Sequence, residues 1–185
     1  MSNEDMLNLA NELEGHPDNV AAAIYGGATI AWQEMQHGRN VALSVQLEVD
    51  ARIGVIAFVP ATSVATSKAR KMLPELINHS DAVKNSANTA LLVHALSHRP
   101  DLLHTATEDF LHQSYRAEAM PASFALLNKL RKAGVAAFIS GAGPTVLVLH
   151  TGGSSEVDEL TRAAGDRFIT RALGVSRSGA SLIAG

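Results

Sequence analysis

The sequence predicts an α+β protein built on an antiparallel sheet, and three observations carry that expectation. Apolar stretches at 28–35 (ATIAWQEM), 40–48 and 52–59 (RIGVIAFV) have strand composition, and the polar QHGR between the first two reads as a hairpin turn. Two further strands, VAAFIS and VLVLH, flank the short turn GAGPT. Helical periodicity separates these stretches, so strands and helices interleave in the second half as an α/β sandwich.

Taken in order, residues 3–13 form an acidic amphipathic helix with Met6, Leu9, Ala10 and Leu13 at helical spacing. The tripeptide GHP ends it, because Pro17 disfavours helical geometry at His16 and fits the first turn of a new helix. That helix runs through Asn19-Val20-Ala21-Ala22-Ala23-Ile24 and stops at Gly26-Gly27. After the third strand, closed by Pro60, the loop ATSVATS leads to a short helix around 67–73. A long helix at 81–97 follows, with Val83, Ala87, Ala90, Leu91 and His94 on one stripe. Helix 122–133 turns Phe124, Leu127 and Leu130 inward and ends at Gly134. A helix starting at Ser154/Ser155 has Asp158 placed for a capping box and Val157, Leu160, Ala164 and Phe168 on its inner face. The tail GVSRSGASLIAG reads as a weak final strand.

Composition narrows the chemistry. With 185 residues, 46% apolar and 18% charged, the chain can bury a core in one or two domains. A formal charge of -3 gives no field to recruit nucleic acid or an anionic membrane, so neither is an expected partner. The absence of cysteine removes disulfides, thiolate metal sites and thiol catalysis, and suits a cytoplasmic protein. No basic-then-apolar leader opens the sequence, and Val135 to Leu149 is too short to span a membrane.

Local constellations say more. In SGAGPT, glycines around an alanine let the backbone adopt conformations that a Cβ forbids, and exposed amides there can hold a phosphate or carboxylate. A plain tight hairpin accounts for the same residues, and no GxGxxG or GxxxxGK[ST] occurs. ELEGHPDN gathers Glu12, Glu14, Asp18 and Asn19, oxygen donors suited to a hard cation, with Asn19 able to bind a hydroxyl at a helix start. The alternative is that Asp18 and Asn19 satisfy free helix amides and the glutamates are solvated. Arg70 and Arg116, if brought together, would clamp a carboxylate or phosphate; apart, each is an ordinary surface charge. His79, His94, His98, His104 and His112 show no metal-ligand spacing and read as capping and packing residues.

Taken together, LEGHPDNVAAAIYGG, FVPATSVATSKARKMLP, QSYRAEAMP and AAFISGAGPTVLVL resemble the homoserine kinases of the GHMP small-molecule kinase superfamily. The resemblance covers nearly the whole chain. It implies part of a ribosomal S5-like ATP-binding domain at 1–50, followed by a ferredoxin-like C-terminal domain at 51–185. It further implies an ATP- and Mg²⁺-dependent enzyme phosphorylating L-homoserine in threonine biosynthesis. Glu12 then matches a Mg²⁺ ligand, and His16 and Asn19 face the homoserine, with Asn19 at its reacting hydroxyl. Thr66 matches a hydroxyl beside the transferring phosphoryl group, and Arg70 and Arg116 a pair gripping the α-carboxylate. Gly141, Ala142 and Gly143 match a motif that shapes the site wall and supports the phosphate loop. Family members carry that loop, PxxxGLGSSA, in a preceding segment, and this sequence does not contain it. The expectation is a homoserine kinase polypeptide that is inactive as this chain, and the alternative is a catalytically silent fragment or binding module of the family; uncovered apolar strand surface predicts aggregation or homodimerisation.

Overall fold

The structure is a computed structural model that describes residues 1–61 and 71–181. It divides into two compact units, Met1–Val49 with the C-terminal residues from Val175, and Asp50–Gly174.

The first unit opens with α1 (Asn3–Glu14), started by a capping box in which Ser2 and Asp5 exchange side-chain and backbone hydrogen bonds. Next come α2 (Asp18–Tyr25) and a hairpin of β1 (Ala28–Gln36) and β2 (Arg39–Leu47). The predicted QHGR turn is present. His37 and Gly38 both have positive φ (49° and 78°), the conformation that matches the twist of a two-residue hairpin.

One face of the hairpin meets the helices, where Leu7, Ala21 and Ala42 form a small core with Val20, Ile24, Tyr25 and Ala31. The other face carries Ile30 opposite Val45 and Trp32 opposite Leu43, and Ile30 (40%), Trp32 (38%) and Val45 (46%) stay exposed. The stripe expected on α1 is corrected. Leu9 and Leu13 are exposed, and the buried positions are Leu7 and Asn11. The described part of the tail, 174–181, is not a strand. It runs as irregular chain along the end of α2, where Gly27 N–H donates to Ser176 O at 2.6 Å and Ala180 N–H to Ala23 O at 2.9 Å.

The second unit is a four-stranded antiparallel sheet, ordered β4-β5-β3-β6, of β3 (Gly54–Pro60), β4 (Ala136–Ile139), β5 (Val146–His150) and β6 (Phe168–Leu173). The α-helices described in full there are α3 (His79–Ser97), α4 (Leu103–Ala106), α5 (Pro121–Lys132) and α6 (Ser154–Ala164). Strand order and helical crossovers are those of the ferredoxin-like arrangement. Alternate strand residues Ile56, Phe58, Ala137, Ile139, Val146 and Val148 bury against Leu126, Leu127, Leu130 and Leu160 of α5 and α6. Fully burying a side chain such as Phe58 contributes about 2–3 kcal/mol.

Details differ from the sequence reading in this unit. On α3 most of the predicted stripe is exposed (Val83, Ala87, Ala90 and His94), Leu91 is half-buried, and Ala95 is the buried residue. The helix docks instead through amides: Asn85 Oδ1 accepts from Phe110 N–H at 3.1 Å and Asn88 Nδ2 donates to Glu108 O at 2.9 Å. At α6 the cap is Gly153 with no side-chain bond, because the helix begins at Ser154 and leaves Asp158 too far inside to reach back. Phe168 packs on the core as expected, though from β6, since Gly165 ends the helix. The short helix expected around 67–73 falls mostly outside the described residues.

Candidate functional site

In the first unit, α1 ends at Gly15, in left-handed conformation, whose N–H donates to Asn11 O. Gln33 of β1 then pins the turn, donating from Nε2 to Asn11 Oδ1 at 2.6 Å and to Gly15 O at 3.2 Å. Past the turn, His16 Nδ1 lies 2.9 Å from Asp18 Oδ1, which also accepts the Asn19 N–H at 2.9 Å. Asp18 thus accepts one amide in the first turn of α2, whose cap, Pro17, makes no side-chain bond. Asn19 is exposed on the first turn of α2, and Glu12 is exposed on the last turn of α1. Among the described residues no three His, Cys, Asp or Glu side chains gather as a metal cage. A lone exposed carboxylate suits Mg²⁺, which takes one or two protein carboxylates and completes its shell with phosphate and water oxygens.

In the second unit the segment QSYRAEAMP and the turn SGAGPT form one body. Gln113 Oε1 accepts from Ile139 N–H at 2.6 Å, at the end of edge strand β4. Arg116, 7% exposed, donates from Nη1 to Gly141 O at 3.1 Å. The Met120 side chain lies where a Cβ on Gly143 would stand, 2.7 Å from Sδ and Cε. Ser123 Oγ donates to Pro144 O at 2.6 Å. Within the turn, Ser140 N–H reaches Thr145 O and Gly143 N–H reaches Ser140 O, with the Gly143–Pro144 peptide cis.

The base of QSYR is fixed by Asp109. Its carboxylate accepts from the amides of His112 (2.8 Å) and Gln113 (2.7 Å) and from His112 Nδ1 (2.8 Å). Burial pushes this carboxyl up, but the bonds from the His112 ring and the Gln113 and His112 amides outweigh it and bring it down to about 2. From α5, Arg131 donates to Thr107 Oγ1, Ala137 O and His104 O, tying α5 to α4 and β4, while burial lowers its pKa.

The structure therefore joins Arg116 to Gly141, with Ala142 and Gly143 in the same turn. Glu12, His16 and Asn19 share the first unit, and Thr66 and Arg70 lie outside the described residues. Of the histidines read as capping and packing residues, His104 Nε2 sits 3.1 Å from Arg131 O, His112 pairs with Asp109, His94 stacks on His98 with ring centroids 5.2 Å apart, and His79 is exposed at the start of α3. Gln113, Met120 and Ser123, which support Arg116 and the glycine turn, were missed, as were Asn11 and Gln33, which hold the turn before His16. The spacing of QSYRAEAMPAS held a clue, since Gln113, Arg116, Met120 and Ser123 recur at helical intervals.

Comparison with known proteins identifies the fold. A family model described as GHMP kinases C terminal matches residues 90–169, which contain this Arg116–Gly141 unit. The homoserine kinase of Streptomyces avermitilis is 47% identical over 178 residues, 96% of this chain and 56% of that protein. That of Streptomyces coelicolor is 45% identical over the same shares. Residues 90–169 thus match the GHMP kinase C-terminal domain, and the chain is similar to homoserine kinases along 96% of its length. It spans about half the length of these curated relatives. The GHMP kinase fold extends to more distant proteins. The crystal structure of homoserine kinase from Cytophaga hutchinsonii superposes with a TM-score of 0.77 at 24% identity, covering 97% of this chain and 60% of that one. Mevalonate diphosphate decarboxylase from Staphylococcus aureus superposes at 0.58 and 15% identity, with the same coverage. No helix among the described residues is long and apolar enough to cross a membrane.

Proposed function

We propose that these residues are the C-terminal part of a cytoplasmic homoserine kinase, which transfers the γ-phosphoryl group of ATP to the side-chain hydroxyl of L-homoserine. The products are O-phospho-L-homoserine and ADP, within L-threonine biosynthesis. Similarity to homoserine kinases along 96% of the chain carries this reading. Residues 1–50 would then be a portion of the ATP-binding domain and 51–185 the C-terminal domain.

Phosphoryl transfer needs positioning and charge neutralisation more than covalent help. Mg²⁺, held by Glu12 together with phosphate and water oxygens, would offset phosphate charge. Asn19 would hold the substrate hydroxyl in line, with His16 facing the substrate and Thr66 beside the transferring group. Arg70 and Arg116 would grip the α-carboxylate, a demand that separates an amino-acid kinase from one acting on a neutral sugar. Gly141, Ala142 and Gly143 would wall the site and support the phosphate loop.

The deciding variant is Arg116→Ala, assayed in a protein that also carries the phosphate-loop segment. Removing one side of a desolvated charge pair costs about 2–5 kcal/mol, so kcat/KM for L-homoserine should fall by about 30-fold or more. An unchanged value would refute the clamp. A second reading is that the 185 residues alone are catalytically silent, because their sequence holds no PxxxGLGSSA to cradle the nucleotide. Calorimetry of the isolated chain should show no MgATP binding, and tight binding would remove that reading.

A further inference from the structure

We propose that Gln113 is the positioning residue for Arg116, setting the angle at which its guanidinium meets the carboxylate of an amino-acid substrate. The inference rests on the amino-acid kinase reading above and deepens it. Gln113 and Arg116 belong to one turn, closed by the Arg116 N–H to His112 O bond at 3.3 Å. That turn has an anchor at each end. Gln113 Oε1 takes the outward N–H of Ile139 on edge strand β4, and Arg116 Nη1 takes the carbonyl of Gly141 two residues further on.

Each anchor has a distinct consequence. The first is buried and short, and it caps a strand amide that has no neighbouring strand among the described residues to receive it. It also fixes the distance between the turn and β4, so the Arg116 fork can meet Gly141 O only in one orientation. A bidentate grip on a carboxylate is sensitive to such orientation, because the two donors of the fork must address both oxygens. Asp109 completes the support by accepting the backbone N–H of Gln113 itself.

The test uses Gln113→Met, which keeps length and volume but offers no acceptor, and Gln113→Glu, which restores the oxygen. In the intact kinase, Gln113→Met should raise KM for L-homoserine about tenfold or more while KM for ATP moves less than about twofold, and Gln113→Glu should recover most of the loss. A structural role alone would lower stability without this split between substrates. In the ¹⁵N-labelled protein, the Arg116 guanidinium resonances should shift in Gln113→Met and return in Gln113→Glu. Unchanged Arg116 resonances would overturn the proposal, as would an unchanged homoserine KM beside a raised one in Arg116→Ala. If Arg116→Ala itself changes nothing, the carboxylate clamp fails, whereas the resonance experiment still decides whether Gln113 orients Arg116. Should Gln113→Met not fold, Gln113→Asn carries the same expectations, since its carboxamide stops one methylene short of Ile139.

Discussion

Arg116 donates to the carbonyl oxygen of Gly141 across 3.1 Å, so an arginine and a glycine turn that look separate in the sequence are one structural element. Whatever moves the SGAGPT turn moves the arginine. The converse also holds, because Met120 and Ser123, further along the arginine's own segment, press on Gly143 and bind Pro144. Variants in the turn therefore test the coupling directly.

Gly143 and Gly141 should respond differently to alanine. Both have positive φ (83° and 53°), which costs an L-residue about 1 kcal/mol. A Cβ on Gly141 meets nothing within 4 Å, whereas on Gly143 it would lie 2.7 Å from Met120 Sδ and Cε and 3.0 Å from Ile139 Cγ2. Overpacking adds about 1–3 kcal/mol, so Gly143→Ala should lose roughly 2–4 kcal/mol and Gly141→Ala only about 1 in urea unfolding. Equal losses would show that Met120 moves aside freely.

Asp109 should make stability depend on acid. Its carboxyl is lowered from the ordinary 3.8 to about 2, so the unfolded chain binds the proton first as pH falls. The stabilisation is therefore complete above about pH 4 and disappears as pH drops through about 2. Allowing for solvent screening, Asp109→Asn should cost on the order of 1 kcal/mol at neutral pH and almost nothing near pH 2. Denaturant midpoints of both proteins across this range give the measurement, and a gap that widens in acid would refute the assignment.

What the sequence made legible follows from what hydrophobic periodicity can report. Strands β3 and β5 and helix α5 were readable because Ile56, Phe58, Val146, Val148, Leu127 and Leu130 alternate or repeat as buried faces do. The buried faces of α1 and α3 were not, because polar residues do the docking. Asn11 is buried but satisfied by Gln33, and Asn85 and Asn88 bind the backbone of the 107–113 connector. A periodicity that counts only apolar residues rotates such helices the wrong way. β6 was hidden for a related reason: Phe168 continues the apolar spacing of α6 across Gly165, so a strand start looked like a helix end. At the site, Arg116 and the glycine turn were each noticed, but their union depends on hydrogen bonds to main-chain atoms, which side-chain chemistry alone does not announce.

Gln33 offers a test of this polar docking. Gln33→Leu keeps the side-chain bulk but leaves the buried Asn11 Oδ1 and the Gly15 carbonyl without their donor. An unsatisfied buried acceptor costs about 1–3 kcal/mol, and the loss should appear as a lower unfolding midpoint of the first unit. Since the same bonds fix the turn before His16, the His16 ring resonances should shift as well. A variant as stable as the parent would mean that water replaces the amide.

The exposed face of the β1–β2 hairpin bears on association. Ile30, Trp32 and Val45 stand on one side of a two-stranded ribbon whose other side already packs on α1 and α2. Two strands alone are marginal in water, and an apolar face of this kind favours burial against another surface. For the 185-residue chain by itself, the available surface is the same face of a second copy. Sedimentation velocity should show association that grows with concentration, and Ile30→Thr with Val45→Thr should weaken it while changing stability by less than about 1 kcal/mol, because threonine keeps the β-branched shape that strands favour. Equal association in parent and variant would place the contact elsewhere, and a strictly monomeric parent would show that the exposed face is too small to hold two chains together.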